Sequence, residues 1–372
     1  MSKQISTFLQ ERIDAGDFPS AVFLVAEKGE IVMHEALGYS VVEPERIEAK
    51  KDTIYDLASL TKVLVTGLLV AKIVEMKEAR LDDPASIAGN TNLKERKLEN
   101  LLTHMSGLPA WKPFYLLVDE PSKILGNILS SEVNAEPSVV YSDLNFLLLE
   151  SLIADRMGWP LDQVLRTEIC DPLGLVATDF TPDTRLRSRI AASENGNGFE
   201  RQTCIEQGFL NEKNPVAIAL GSEPFRTEVI WGEVHDNNAY FMGGVAGHAG
   251  LFSTAEETFK IAHQFLPNYT TLLKPETCEL FRTNFTPGMN EHRSFAFQLA
   301  STPDSTAGTK MSPESFGHLG FTGTSLWIDP VKERVFILLT NRTHNRALPF
   351  ENINSVRRRF HNLAIEHLDK NS

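Results

Sequence analysis

The stretch that decides the fold reads YDLASLTKVLVT and spans residues 55–66. It holds one serine, Ser59, with a lysine, Lys62, three residues later, at the start of an apolar run that continues to about Met76. Because residues i and i+3 share one face of a helix, the pattern predicts contact between Ser59 Oγ and the Lys62 amine. Apolar residues cover every face of this predicted helix, so we expect it to lie inside the protein.

A lysine inside an apolar core indicates chemistry. A serine hydroxyl is a weak nucleophile until a base removes its proton, and a lysine can be that base when burial lowers its pKa. Two other interpretations fit the same stretch: Ser59 as a helix N-cap, and Lys62 as a surface side chain that reaches solvent. A bare S-x-x-K occurs by chance about once in a chain of this length, so the surrounding sequence has to decide.

The composition is that of an ordinary globular protein. The 372 residues are 42% hydrophobic and 23% charged, which suits one large domain or two intimate ones. The formal net charge of −13 argues against nucleic acid or an anionic membrane as a partner. The one basic cluster, at 357–359, falls in a helical pattern, and we interpret it as a solvated face.

The cysteines and the N-terminus indicate a cytoplasmic protein. Cys170, Cys204 and Cys278 are widely separated and form no CxxC motif, which favours reduced thiols over disulfides or a zinc site. The N-terminus lacks the apolar core of a signal peptide and is typical of an amphipathic helix. The longest apolar run, 63–71, is too short to span a membrane. Nothing in the sequence indicates a metal or a cofactor.

Strand patterns lie at both ends of the chain, and a mainly helical middle separates them. Strands from the two ends can pair, so the predicted fold is α+β: an antiparallel sheet flanked by helices, with an inserted all-helical region. We expect residues 1–58 and 241–372 to form the sheet domain and 59–240 the mainly helical domain, with the active site at the junction. Residues 180–240 are interpreted as long loops over the site, with disorder as the alternative. The predicted strands are 21–26, 31–37, 322–328 and 334–340, and the predicted helices include 59–76, 97–105, 255–265 and 349–368.

Two further motifs carry chemistry only in combination with the first. Tyr141-Ser142-Asp143 precedes an apolar helix, where a phenol near a lysine can relay protons, although a buried structural tyrosine explains Tyr141 equally well. Residues 316–324 hold three glycines and His318. Such a strand can approach a ligand closely and offer backbone N–H groups, although a glycine-rich surface bend is the alternative.

Other motifs are missing or have a structural explanation. The glycine-rich turn at 243–250 lacks a lysine at Walker spacing, so we interpret it as a site of close backbone packing before a capping box at 253–256. The chain contains no G-x-S-x-G, H-E-x-x-H or G-x-G-x-x-G. A nucleophile-elbow hydrolase, a zincin and a Rossmann enzyme are therefore disfavoured.

The three chemical motifs together resemble one superfamily. S-x-x-K at 59–62, Y-S-D at 141–143 and H-x-G at 318–320 stand in the order found in serine β-lactamases and penicillin-binding proteins. Segments 101–109 and 250–254 also resemble signature segments of that superfamily. The resemblance covers nearly the whole chain except about 180–230, and it is strongest to the class C-type, β-lactamase-like esterases.

The resemblance implies roles for the matched residues. Ser59 would be the acylated nucleophile, Lys62 the base beside it, and Tyr141 the group that moves protons between the serine and the leaving group. The oxyanion hole would be formed by the backbone N–H groups of Ser59 and Phe321. These roles imply metal-free hydrolysis through an acyl-enzyme, as in other serine nucleophile enzymes.

Two departures from the superfamily pattern bear on the substrate. Asp143 stands where many relatives have asparagine, and His318-Leu319-Gly320 stands where they have Lys-Thr-Gly. Relatives hold a substrate carboxylate with that lysine and threonine, so these departures predict a preference for uncharged esters. The predicted function is hydrolysis of a small ester or amide, with an esterase ahead of a β-lactamase or D-alanyl-D-alanine carboxypeptidase. The alternatives from other classes are a binding module that is acylated and stalls, and a structural protein with an inactive site.

Overall fold

The computed structural model describes residues 2–85, 93, 95–136, 138–210 and 224–371. Its strands are β1 (Ser20–Glu27), β2 (Glu30–Val41), β3 (Ile47–Glu48), β4 (Tyr55–Asp56), β5 (Phe252–Ser253), β6 (Gln298–Leu299), β7 (Phe316–Leu319), β8 (Ser325–Asp329) and β9 (Arg334–Thr340). Seven of them form one sheet in the order β3-β2-β1-β9-β8-β7-β6, and β4 pairs with β5 in a separate two-stranded ladder.

The helices surround this sheet and fill the middle of the chain. They are α1 (Ser2–Ala15), α2 (Leu68–Glu75), α3 (Leu98–Leu102), α4 (Phe114–Leu117), α5 (Ile124–Leu129), α6 (Asp143–Met157), α7 (Leu161–Leu165), α8 (Asp171–Leu173), α9 (Gly198–Glu206), α10 (Asn237–Phe241), α11 (Ala255–Ala262) and α12 (Asn354–Asn371). Among the described residues, none of these helices combines the length and the apolar character needed to cross a bilayer.

The two ends of the chain meet in the centre of the sheet. β1 forms a hairpin with β2 and pairs on its other side with β9, so that Ala21 lies opposite Thr340 and Glu27 opposite Arg334. All pairs in the sheet for which the register is given are antiparallel. The prediction of one antiparallel sheet built from both ends of the chain is confirmed.

Alternate residues of the central strands enter two cores on opposite faces of the sheet, as the period of two in a strand requires. Phe23 and Phe336 pack in the core that α1 and α12 cover. Leu24 and Ile337 pack in the larger core that the helical middle of the chain covers. The predicted α+β architecture, with helices on both faces and an added helical region, is therefore correct.

Two predicted elements differ from the structure where local backbone geometry intervenes. The single helix predicted over 59–76 consists of a 3-10 turn (Ala58–Leu60), a π-helical turn (Lys62–Gly67) and then α2. The apolar pattern could not distinguish these helix types, because most residues of the segment are buried in all three of them. The strand predicted over 322–328 begins only at Ser325, since the preceding residues turn through Gly323 at φ 113°.

Further differences lie in the middle of the chain. The loops predicted over 180–240 contain α9 and α10, and residues 211–223 of that segment lie outside the described residues. α11 begins after Thr254, whose side chain caps the Glu257 N–H, whereas the predicted capping box placed the cap one residue earlier. The division into residues 1–58 with 241–372 and residues 59–240 stays a prediction.

Candidate active site

Ser59 lies at a turn that the 320–324 segment holds in place. Thr322 Oγ1 donates a hydrogen bond to the Asp56 carbonyl at 2.7 Å, and Thr324 Oγ1 donates one to the Leu57 carbonyl at 2.9 Å. The intervening Ala58 has a left-handed backbone with φ 48°, a strained conformation for a residue with a Cβ. These contacts fix Ser59 beside the turn that carries Phe321.

Lys62 is fully buried and makes three short contacts. Its Nζ lies 3.0 Å from Ser59 Oγ, 2.8 Å from the His248 carbonyl oxygen and 2.7 Å from Asp143 Oδ1. The predicted contact between Ser59 and Lys62 is therefore present. The alternative interpretations, Ser59 as a helix N-cap and Lys62 as a surface side chain, are wrong. Leu57 is the N-cap residue, and the Lys62 side chain is 0% exposed.

The charge of Lys62 differs from what burial alone implies. Burial lowers the pKa of Lys62, but the charges and hydrogen bonds of Asp143 and Tyr141 outweigh burial and leave this pKa above its ordinary value. An ammonium has three N–H donors, and these three contacts together with the Tyr141 hydroxyl offer more than enough acceptors for them. The expectation of a lowered Lys62 pKa is therefore wrong: in the resting enzyme this side chain is a charged donor.

Tyr141 completes the hydrogen-bonded group. Its hydroxyl bonds to both Ser59 and Lys62, and burial raises the pKa of Tyr141 although the Lys62 charge opposes that shift. The His104 ring packs 4.6 Å from the Tyr141 ring, and His104 Nδ1 accepts the Ser142 N–H at 3.0 Å. The 101–109 segment thus positions the tyrosine at the start of α6.

Asp143 and the end of β7 lie where the predicted substrate would bind. Asp143 lines the cavity as expected, but its 2.7 Å ion pair with Lys62 makes it part of the proton-holding group. His318 is 5% exposed, and its Nδ1 donates to the Leu319 carbonyl at 2.9 Å. Burial and the nearby charges of Lys62 and Arg293 hold the pKa of His318 well below its usual range, so the imidazole is neutral.

The cavity in front of Ser59 has a volume of about 520 Å³. Lys62 lies behind its wall, and the other predicted site residues line it. These are Ser59, Tyr141, Asp143, His318, Gly320 and Phe321. Gly320 permits the close approach of the two segments, because a Cβ at this position would lie 2.5 Å from the Leu57 carbonyl oxygen.

The sequence did not reveal the arginines of this cavity, which are Arg293, Arg342 and Arg357. Arg293 pairs with Glu291 at 2.5 Å. Arg342 and Arg357 donate to backbone carbonyls, those of Phe321 and of Gly320 respectively, and neither has a carboxylate partner among the described residues.

Arg357 also corrects the interpretation of the basic cluster at 357–359 as a solvated face. Its side chain is 5% exposed, and burial together with the Arg342 charge lowers the pKa of Arg357 to about 9. Only the two arginines that follow it on α12 lie nearer to solvent. The helical pattern gave no signal for this difference, because the sheet and not the sequence decides which turn of α12 is covered.

Acidic groups in and around the cavity were also missed, because distant segments bring them together. Glu200 accepts hydrogen bonds from the Tyr115 hydroxyl and the Asn237 N–H, both at 2.8 Å, and burial raises the pKa of Glu200 to about 7. His235 Nε2 lies 2.8 Å from Glu194 Oε2. Glu200 and His235 both line the cavity, so its lining contains a carboxyl group as well as the arginines.

Asp143, Asp236 and His248 are the one group of described residues whose donor atoms lie within 4.8 Å of one another in a manner that suits a metal ion. Their charges are already compensated within the protein. Asp143 pairs with Lys62, and Asp236 Oδ1 lies 3.0 Å from His248 Nε2. We therefore interpret the cluster as an ion-pair network around Lys62.

The sequence model of the beta-lactamase family matches residues 5–357. The chain belongs to this family. It is also 30% identical over 376 residues to a protein named "Putative D-alanyl-D-alanine carboxypeptidase" from Escherichia coli (strain K12), covering 92% of this chain and 82% of that protein. The recognised family is one of serine hydrolases, so the superfamily resemblance and the general function predicted from the sequence are confirmed.

Solved structures support the fold of this beta-lactamase family member. A β-lactamase from Sulfitobacter sp. EE-36 has a TM-score of 0.73 at 18% identity, and the superposition covers 100% of this chain and 99% of that protein's chain. EstCE1, a hydrolase with promiscuous acyltransferase activity, has a TM-score of 0.71 at 19% identity, and the superposition covers 97% of this chain and 98% of the EstCE1 chain. At these identities the likeness concerns the fold alone.

Proposed function

We propose that the protein is a carboxylic ester hydrolase that forms an acyl-enzyme at Ser59. The observation that carries the proposal is the Ser59–Lys62–Tyr141 group at a cavity in which the usual cationic Lys-Thr pair is replaced by a neutral His318 and by Leu319. An uncharged ester places no anion against this part of the wall. The side chain of Asp143, which lines the same cavity, disfavours a nearby substrate anion.

The acylation step uses the three-residue group. Ser59 Oγ attacks the ester carbonyl carbon, and the carbonyl oxygen becomes an oxyanion that the N–H groups of Ser59 and Phe321 stabilise. Tyr141 receives the serine proton on its hydroxyl while it passes its own proton toward Lys62. Lys62 rests as an ammonium, so it must first lose a proton, and the reactive enzyme is the form in which a neutral Lys62 accepts the proton from Tyr141.

The return of the proton completes the reaction. Collapse of the tetrahedral intermediate breaks the bond to the alcohol, which takes the proton back through Lys62 and Tyr141. A water molecule then attacks the acyl carbon and loses a proton along the same route, which releases the carboxylic acid and restores the Ser59 hydroxyl. Removing one oxyanion donor typically costs ~10²–10³ in rate, so the backbone positions matter as much as the side chains.

A second candidate function is hydrolysis of a peptide that ends in a free carboxylate. Arg342 and Arg357 favour it, because both line the cavity without a carboxylate partner among the described residues. The name of the Escherichia coli relative is in keeping with this candidate. The preference for uncharged esters therefore depends on whether these arginines reach the substrate.

The experiment compares kcat/KM for p-nitrophenyl butyrate, nitrocefin and an acylated peptide ending in D-alanyl-D-alanine. We expect the ester to be the best substrate by at least tenfold, with no turnover of any substrate by Ser59→Ala. The peptide as the best substrate would establish the second candidate, and efficient turnover of nitrocefin would identify a β-lactamase. Ester hydrolysis that survives in Ser59→Ala would contradict the nucleophile assignment itself.

A further inference from the structure

His248 and Asp236 form an ion pair beside Lys62 that has no part in the steps above; His248 is buried, and the partly exposed Asp236 lines the cavity. The His248 side chain is 1% exposed, and its Nε2 lies 3.0 Å from Asp236 Oδ1. The peptide carbonyl of the same histidine accepts a hydrogen bond from Lys62 Nζ at 2.8 Å. The pair therefore touches the lysine through a backbone bond and also acts on it through charge.

The loop that carries His248 is held rigidly. The Glu150 carboxylate accepts the Gly247 N–H at 2.8 Å, and Thr66 Oγ1 donates to the Gly247 carbonyl at 2.6 Å. A Cβ at position 247 would lie 2.3 Å from the Phe146 carbonyl oxygen, so the backbone packs there without space for a side chain. The imidazole of His248 consequently keeps a fixed position relative to Lys62.

The charges around Lys62 balance only when His248 is protonated. Asp143 and Asp236 supply two negative charges and Lys62 supplies one positive charge, so an imidazolium provides the second. The donor atoms of the two carboxylates and the histidine lie within 4.8 Å of one another, a separation at which charges in a partly buried site interact strongly. Burial lowers the pKa of His248, but the charge and hydrogen bond of Asp236 outweigh burial and raise it overall.

Other titratable groups face this network from neighbouring elements. Glu150 on α6 acts on His248, and Tyr141 acts on Lys62. The groups that act on the acidic side of the pair, around Asp236, are Asp56 and Glu200. All of them remain in place in the variants considered below, so a change at position 248 alters one charge in an otherwise constant surrounding.

We propose that His248 and Asp236 are a positioning pair that balances the charge beside Lys62 and thereby sets the pH range in which Ser59 becomes nucleophilic. The inference rests on the proposed role of Lys62 in moving the serine proton. Without the imidazolium, Asp236 contributes an uncompensated negative charge, and Lys62 holds its proton more tightly. Activation of Ser59 then requires a higher pH.

The test measures the rate at which a fluorophosphonate labels Ser59 as a function of pH. The labelling rate should rise with pH as Lys62 loses its proton, and we call this part of the profile the rising limb. In His248→Gln, which keeps a donor for Asp236 but cannot be charged, we expect the rising limb to move to higher pH by about one unit. Asp236→Asn should shift the limb little, because His248 loses its charge together with its partner. The double variant should return to the wild-type position, a rescue that a purely structural role does not produce.

His361→Gln is the matched control. His361 is also buried, but its Nδ1 bonds to the Thr306 carbonyl at 2.7 Å, and its substitution should leave the limb unmoved. An unshifted limb in His248→Gln, or a double variant shifted as far as the single one, would overturn the inference. Equal labelling of wild type and Ser59→Ala would instead remove the proposed function, so the two failures are distinguishable.

Discussion

Two parts of the cavity surroundings, here called walls, differ in how their charges are paired. The first wall contains the ion pairs around Lys62, and the second contains Arg342 and Arg357. Behind Ser59, Lys62 is paired with Asp143 at 2.7 Å and His248 with Asp236 at 3.0 Å. In another part of the cavity lining, Arg342 and Arg357 donate to the backbone carbonyls of the 320–324 turn and have no carboxylate partner among the described residues.

The difference separates proton transfer from substrate recognition. Paired charges can stay buried before a substrate arrives, and they exchange a proton without a change in net charge. Arginines bonded only to carbonyls keep their full positive charge, which a substrate anion can neutralise. The first wall is therefore complete within the protein, whereas the second has positive charge available for a ligand.

The largest expected effect concerns Lys62 on the first wall. In Lys62→Arg, the guanidinium cannot give up a proton at any working pH, and we expect kcat/KM for p-nitrophenyl butyrate to fall by ~10³-fold or more. Lys72→Arg is the control, since Lys72 lies on the adjoining helix and pairs with Glu168 away from Ser59. An active Lys62→Arg enzyme would transfer the role of the base to Tyr141 or His318.

The next prediction concerns Arg342 on the second wall. We expect Arg342→Met to lower the ratio of kcat/KM for mono-p-nitrophenyl glutarate to that for p-nitrophenyl butyrate by about 10–100-fold, since a charged hydrogen bond contributes roughly 1.5–3 kcal/mol. Arg358→Met, on the neighbouring helix α12, should leave the ratio unchanged. A ratio that also stays constant in Arg342→Met would mean that this wall does not contact the substrate.

A smaller effect is expected at Asp143, where the ion pair of the first wall can be broken. The charge of this carboxylate holds the pKa of Lys62 up, so its removal in Asp143→Asn lowers that pKa. The rising limb of the kcat/KM–pH profile should then move to lower pH by about one unit, while kcat changes by less than about tenfold. Movement of the limb to higher pH would contradict the assigned role of the carboxylate.

The smallest effect concerns Glu150, which supports the first wall through the His248 loop. Burial raises the pKa of Glu150 to about 7, so its protonated form stabilises the fold at low pH, and this contribution is lost as the pH rises from about 4.5 through 7. We expect the melting temperature of Glu150→Gln relative to wild type to increase between pH 5 and pH 8. An equal difference at both pH values would show that the carboxyl titrates normally.

The sequence was sufficient for the parts of the site that depend on local spacing. Ser59 and Lys62 are three residues apart in consecutive helical turns, so their contact follows from the i, i+3 spacing. The meeting of the chain ends in one sheet also followed from the strand patterns at those ends, which β1 and β9 confirm. Tyr141 was identified through its place before α6 and through the superfamily resemblance.

The rest depends on contacts between segments that are far apart in the chain. His248 meets Lys62 across 186 positions, and Arg357 meets Gly320 only because α12 packs against the sheet. The raised pKa of Lys62 likewise comes from Asp143, whose approach no local pattern encodes. Such contacts leave no periodic pattern in the sequence. The sequence therefore offered no reason to distinguish Arg357 from the more exposed arginines beside it.

The most direct test of the central claim is mass spectrometry of the intact protein after reaction with a fluorophosphonate, followed by mapping of the labelled tryptic peptide. We expect a single adduct, located at Ser59 in peptide 52–62, and no adduct in Ser59→Ala. An adduct on any other residue, or one that persists in Ser59→Ala, would contradict the assignment of Ser59 as the nucleophile.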